Sequence, residues 1–424
     1  MTSSCLWASS AAPDVQATAL QGDRAVDVLI VGAGFTGCAA ALSLALRGVR
    51  VAVLEAKTVG WGASGRTGGQ VIPGLKYDPD ELEAMFGAEL GARMVQAAGA
   101  AGDEVFGLIE RHAIDCDAQR KGWLQPAYST RSLDLALRRC DSWQRRGANV
   151  AAVDHSRMAQ LLGTDHYLGG WEDRRAGHVQ PLSYVRGLAL AAQRAGAEIY
   201  INSPALSLSQ QGAKWQVACA QGTVVAAQVL IATNGYTDGL WPGLRRTVVP
   251  MMSYQAATVP IAAALGQSIL PEGHAASDTR RLLWYFRRDA HGRLIMGGRG
   301  PYREDQGTDD DQHVRAAVNR LYPQLANTPF EFHWAGRVAM TQDHIPHLNQ
   351  LDHGLWAALG YNGRGVGMAT LLGRLLADLA CGVAAKDIPF PVTSMRPIVG
   401  YPFTRLVARA LTNYYRLRDT LEAS

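Results

Sequence analysis

The hydrophobic pattern begins in earnest at Val26. VDVLIV is a continuous apolar run rich in β-branched residues, which predicts a strand buried on both faces of a parallel sheet. The run ends in glycine, continues as CAAALSLALRG, an Ala/Leu helix closed by Gly48, and returns to a second buried strand, RVAVLE. Residues 1–25 are small and polar, carry no such period, and are expected to form a frayed, flexible leader. Buried-strand texture recurs in AAQVLIATNGY and in HGLWAALG, the latter followed by a glycine-rich turn and the amphipathic helix MATLLGRLLADLACG. Two stretches differ. Residues 76–149 show helical periods with charged faces, whereas residues 246–334 alternate and are rich in aromatics, as antiparallel strands are. The end of the chain, FTRLVARALTNYYRLRD, is basic and amphipathic and predicts a helix docked on the first domain, with a membrane surface as the other placement.

These textures predict an α/β protein of two interleaved domains. One comprises residues 26–75, 150–245 and 335–400, and the other residues 76–149 and 246–334, with a C-terminal helix over 401–424. A length of 424 residues suits two domains sharing a large core.

Gly32, Gly34 and Gly37 form G-A-G-F-T-G between the first strand and the first helix. The first glycine permits the sharp turn, the second lets backbone approach a pyrophosphate, and the third allows close helix–strand packing. Phe35 and Thr36 then open a helix whose unpaired N–H groups and positive dipole end face the phosphates. Glu55 closes the second strand where a carboxylate can accept hydrogen bonds from a ribose hydroxyl and repel a 2′-phosphate. Strand, turn, helix, strand and acid together point to an adenine dinucleotide, without separating FAD from NAD.

After Glu55 comes AKTVGWGASGRTGGQ. It resembles the G-x-G-A-S-G-R-N-G-G-Q segment of the FAD-dependent D-amino-acid oxidase superfamily, the amine-oxidising group that includes glycine oxidase and monomeric sarcosine oxidase. The likeness, strongest to its gamma-glutamylputrescine oxidoreductase-like branch, extends over most of residues 26–418. It implies a Rossmann-type FAD-binding domain interleaved with a mixed-sheet α+β substrate domain whose sheet faces the flavin. By matching position, Ala63, Ser64, Gly65, Arg66, Gly69 and Gln70 would run along the cofactor, with Thr67 where relatives carry Asn. Ala205 would meet adenine, and Thr233, Asn234 and Gly235 end a parallel strand, where α/β folds gather ligands. Gly360, Tyr361, Asn362, Gly363, Arg364, Gly365 and Val366 match the flavin-edge loop, with Arg364 where many relatives have His. A helix N-terminus there would favour the negative charge of reduced flavin.

Substrate-side candidates are Tyr254, Gln255, Trp284, Tyr285, Arg299 and Arg337, with Trp61 from the glycine run. Aromatic walls orient an amine, and a guanidinium grips a carboxylate through two parallel hydrogen bonds. Tyr254, Arg299, Arg337 and Tyr361 are the candidates for contact with the reacting groups. Sarcosine oxidases attach flavin through a cysteine before T-x-D; no cysteine lies between Cys219 and Cys381, so noncovalent FAD is expected. RLIMGGR over 293–299 has no lysine where sarcosine oxidases place one to activate oxygen, which leaves the acceptor as oxygen or another carrier.

Composition mainly excludes. A formal charge of +4, from 41 Lys+Arg and 37 Asp+Glu, is too slight to steer a polyanion, so nucleic acid is not expected as a partner. Six dispersed cysteines show neither a disulfide framework nor zinc spacing, no metal site is expected from the scattered histidines, and no nucleophile motif is present. With no signal-peptide pattern or run of spanning length, a cytoplasmic location is expected. The sequence reads as an FAD enzyme oxidising the CH–NH bond of an amine or amino acid, such as a secondary amine or a gamma-glutamyl-polyamine. The alternatives are a dehydrogenase of amino or hydroxy acids using a non-oxygen acceptor, and a noncatalytic flavin-binding subunit.

Overall fold

The computed structural model describes residues 5–299 and 312–422. Its first sheet is built on the apolar runs. The strands Glu198–Tyr200, Val51–Leu54, Arg24–Val31, Gly222–Ile231 and Leu355–Leu359 lie side by side and parallel, with Ile30 opposite Val53 on one side and Leu230 on the other. The helices Phe35–Ala45, Pro181–Arg194 and Gly365–Ala380 cover one face of this sheet, and its other face packs against Trp215, Val217, Leu244 and Val248. The Phe35–Ala45 and Gly365–Ala380 helices pack against each other so closely that a Cβ on Gly373 would collide with the carbonyl oxygen of Thr36.

The second sheet has eight strands, in the order Phe330–Met340, Val249–Thr258, Leu294–Arg299, Tyr285–Arg288, Ala275–Ser277, Trp123–Pro126, Gly169–Asp173 and Val150–Asp154. Every pairing is antiparallel except that of Ala275–Ser277 with Trp123–Pro126. One face packs under the His155–Leu162 and Gln312–Leu321 helices in a core that includes Met158, Phe286, Met296 and Tyr322. Its other face turns toward the first sheet and carries Ser253, Gln255 and Tyr285.

Three expectations need correction. The leader does not fray over its described part: Cys5, Leu6 and Trp7 are buried, and Trp7 donates from Nε1 to the carbonyl of Thr67 at 2.8 Å. One indole in a polar stretch has found a slot, edge-on to Trp334 at 5.6 Å and beneath the Arg287 guanidinium at 4.9 Å. Residues 1–4 lie outside the described residues. Strands within 150–173, and residues 335–340, pair in the second sheet rather than the first, because Trp171 and Gly170 find backbone partners in Gln125 and Pro126. The C-terminal helix, Thr404–Leu421, is anchored not on the first sheet but at Arg281, which pairs with Asp419 at 3.2 Å and Glu422 at 2.8 Å.

Candidate active site

Between the sheets lies a cavity of about 750 Å³, the size of a small-molecule or cofactor site. The glycine turn forms part of its wall. Gly32 holds φ +105°, and a Cβ there would stand 3.0 Å from the Ala232 carbonyl; one on Gly34 would stand 2.9 Å from Ser64 Oγ. Gly37 does not reach the cavity: a Cβ on it would collide with the Gly32 carbonyl, so it serves helix–strand packing. Glu55 spans the turn, its two oxygens accepting from the backbone N–H of Ala33 and Lys57, each at 2.9 Å. Burial raises its pKa. Each carboxylate oxygen keeps a second lone pair for a ligand hydroxyl.

The Ala63–Gly65 turn places Ser64 Oγ 3.0 Å from the Phe35 N–H, which donates to it. From here the glycine run is bolted to the second sheet. The Arg66 carbonyl accepts from Gln255 Nε2 at 2.6 Å and Trp334 Nε1 at 2.9 Å, and the Arg66 guanidinium covers the Trp61 ring at 4.5 Å. Gln70 faces the cavity, but its amide donates to the Ala276 carbonyl at 2.9 Å and accepts from Ser277 Oγ at 2.7 Å. Those bonds tie the glycine run to the second sheet. Gly65 and Gly69 stay behind the wall, Gly69 at φ +75° with the Val179 carbonyl where a Cβ would be.

Two loops close the cavity floor. Asn234 Oδ1 accepts from the Gly360 N–H at 2.9 Å, and Asn362 Oδ1 accepts from the Thr341 N–H at 2.9 Å. Thr233, Gly363, Arg364 and Gly365 line the space with them, and Ala205 lines it elsewhere; Gly235, Gly360 and Val366 do not. Tyr361 also lines it, but its hydroxyl lies 2.6 Å from Thr36 Oγ1 and donates to the Ala358 carbonyl at 3.1 Å. That bond links the starts of the Phe35–Ala45 and Gly365–Ala380 helices, so two positive helix ends open on one cavity. Burial drives the Tyr361 phenol upward in pKa. Its hydroxyl, named among the candidates for contact with the reacting groups, is engaged by Thr36 and Ala358.

On the opposite wall, the Ser253 and Tyr285 hydroxyls meet at 2.6 Å, and the Gln255 Oε1 is buried without a partner. Arg299 and Arg337 line the cavity, the latter stacked on Tyr236 at 5.0 Å. Tyr254 does not join them. Strand alternation turns its ring to His313 at 6.0 Å, on the helical side of the sheet, because Ser253 and Gln255 take the inner face. Trp284 likewise leaves the cavity for His166 and Arg280.

Sequence reasoning missed two cations, Arg287 and Lys76, and the burial of a third, Arg364. Arg287 donates to the carbonyls of Gly68 at 2.7 Å and Val179 at 2.8 Å, and complete burial lowers its pKa to about 10. Arg364 was named for its loop, but its burial, which lowers its pKa to about 9, was not foreseen. Lys76 faces the cavity, and desolvation followed by repulsion from Arg299, Arg139 and Arg364 lowers its pKa. A lysine 21 positions past Glu55, within a stretch read as surface helix, gave no signal.

The profile of the DAO family, described as FAD dependent oxidoreductase, matches residues 27–379. The chain belongs to this family. Across the family, the "Probable oxidoreductase OrdL" of Haemophilus influenzae is 33% identical over 93% of this chain and 92% of its own. Gamma-glutamylputrescine oxidoreductase of Escherichia coli is 32% identical over 93% of both chains. Among solved structures, glycine oxidase from Geobacillus kaustophilus superposes with a TM-score of 0.73 at 21% identity, over 89% of this chain and all of that one. The protein is thus a DAO-family FAD-dependent oxidoreductase, with the fold of glycine oxidase. The residues present fit FAD: the Gly32–Gly34 turn, which leaves no room for a Cβ, and the Glu55 carboxylate share one cavity. Among the described residues no cluster could hold a metal.

Proposed function

We propose that this DAO-family protein oxidises the CH–NH bond of a small amine or amino acid, with FAD held noncovalently. The observation that carries the reading is the single cavity, whose wall joins the dinucleotide turn, two helix N-termini and the polar inner face of the second sheet. Glu55 and the Gly32–Gly34 turn would hold the adenosine and pyrophosphate, and the 63–70 segment with the 362–365 loop would hold the flavin. Bound there, FAD supplies the acceptor for a hydride from the carbon next to nitrogen. Substrate leaves as an imine, which water hydrolyses to a carbonyl compound and a freed amine.

The chain's own residues prepare that step. A leaving hydride requires a neutral amine, and the crowd of guanidinium groups around Lys76 disfavours an ammonium beside it. Arg299, Arg337 and Lys76 line the space where a substrate carboxylate would be gripped. The similarity to gamma-glutamylputrescine oxidoreductase favours a gamma-glutamyl-polyamine or related secondary amine. Among the described residues no cysteine lines the cavity, which supports a noncovalent cofactor.

Anaerobic mixing with a library of amines and amino acids tests the reading. Bleaching of the flavin band by one class, with flavin released intact on acid precipitation, is the expected result; no bleaching by any member would leave a flavin-binding subunit. Admitting air then separates an oxidase, reoxidised in seconds, from a dehydrogenase whose flavin stays reduced for minutes.

A further inference from the structure

We propose that the outer face of the C-terminal helix is a docking surface for an anionic lipid bilayer. The helix is amphipathic in the reverse sense. Thr404, Ala408, Thr412, Tyr415 and Asp419, which share one side, are partly or fully covered. The opposite side presents Leu406 at 67% exposure, Val407 at 53% and Tyr414 at 50%, with Leu411 beside them. Phe403 and Val399, the latter 97% exposed, continue the stripe upstream. Burial within the chain explains an inward apolar face, and an outward one calls for an external partner.

Charge selects the partner. From Ser394 to Arg418 the chain has five arginines, at 396, 405, 409, 416 and 418, and no Asp or Glu. The acids that follow are engaged at Arg281, where Asp419 and Glu422 anchor the helix end, and Glu422 also pairs with Arg418 at 2.9 Å, which leaves four arginines for the charge of this face. Exposed Arg245 and Arg246 adjoin the segment through the Ile398 N–H, which donates to the Arg246 carbonyl at 2.8 Å. Two copies joined through this face would oppose like charges, whereas anionic headgroups neutralise them and the acyl boundary takes the stripe. None of the described helices is long and apolar enough to span, so the helix would lie in the interface plane. Arg281 also lines the active-site cavity, so docking brings the cavity rim to the lipid.

Sedimentation of the FAD-loaded full chain with vesicles of phosphatidylglycerol and phosphatidylcholine in equal parts is the test, with vesicles of phosphatidylcholine alone as the comparison. The expected result is binding to the anionic vesicles that falls as salt rises. Arg409→Gln should weaken it about fivefold, and the Leu406→Glu/Val407→Glu double variant should abolish it. Both variants alter exposed side chains, so their flavin spectra and melting temperatures should stay those of the parent chain. Equal binding to both vesicle types, or none to either, would overturn the proposal. So would a dimer in light scattering that the double variant converts to monomer, since the face would then belong to a second copy.

Discussion

His166, behind the cavity wall, shows what a single side chain contributes to stability. Its Nε2 lies 2.8 Å from Arg280 Nη2, so the nitrogen must accept and the ring must be neutral. Arg280 is in turn paired with the buried Asp278. Burial, then the Arg280 charge, lowers the His166 pKa to about 4 from an ordinary 6.5. Between those values the unfolded chain takes up a proton that the folded one refuses, so stability rises with pH across the window and is fully present above 6.5. The melting temperature should therefore fall as pH drops from 6.5 toward 4, and His166→Gln should flatten that slope. Glu55 is the second case. Its carboxylate was legible from spacing alone, and removing its charge in Glu55→Gln should weaken FAD binding by about 1.5–3 kcal/mol for one charge-assisted bond, measured by flavin fluorescence on titration. Gln70 shows the limit of such reading, because a polar residue in a matching motif has no way to announce that Ala276 and Ser277 occupy its amide.

At the scale of elements, the strand–turn–helix unit was readable because every local preference agrees with it. The apolar run is Arg24–Val31, and the helix over Phe35–Ala45 starts where the third glycine is needed. Gly373 needs the same closeness from the other helix. Gly373→Ala should force the Gly365–Ala380 helix off the Thr36 carbonyl, at about 1–3 kcal/mol by the usual cost of overpacking. A lowered thermal midpoint with weakened flavin retention is the expected readout, and an unchanged midpoint would contradict the packing described. The inner and outer faces of Val249–Thr258 were harder. Ser253, Tyr254 and Gln255 have no apolar alternation to set their phase, so which of them meets the cavity waited on the pairing with Leu294–Arg299 and Phe330–Met340.

At the scale of the whole molecule, the glycine run ties the N-terminal segment to the second sheet. Trp7, Gln255, Trp334 and Arg287 all bond to carbonyls between Arg66 and Gly68, from three distant parts of the chain. Trp7→Ala would remove a fully buried ring at a cost of about 3–5 kcal/mol, and would free the Thr67 carbonyl beside the proposed flavin position. Lower thermal stability together with faster flavin loss is expected. Stability lost without any change in flavin retention would show that the two sheets hold the cofactor independently of the N-terminal segment.

Local grammar carried the dinucleotide turn, the acid that closes it, the glycine run and the family likeness, because each depends on residues a few positions apart whose backbone demands are severe. Long-range geometry assigned the rest. The burial of Trp7, the seating of Lys76 and Arg287 and the outward turn of Tyr254 depend on partners over a hundred residues away or on a strand's phase, and the membership of 150–173 in the second sheet on strand partners at 123–126. A side chain's neighbours across such distances follow from how the sheets stack, and no spacing along the chain encodes them.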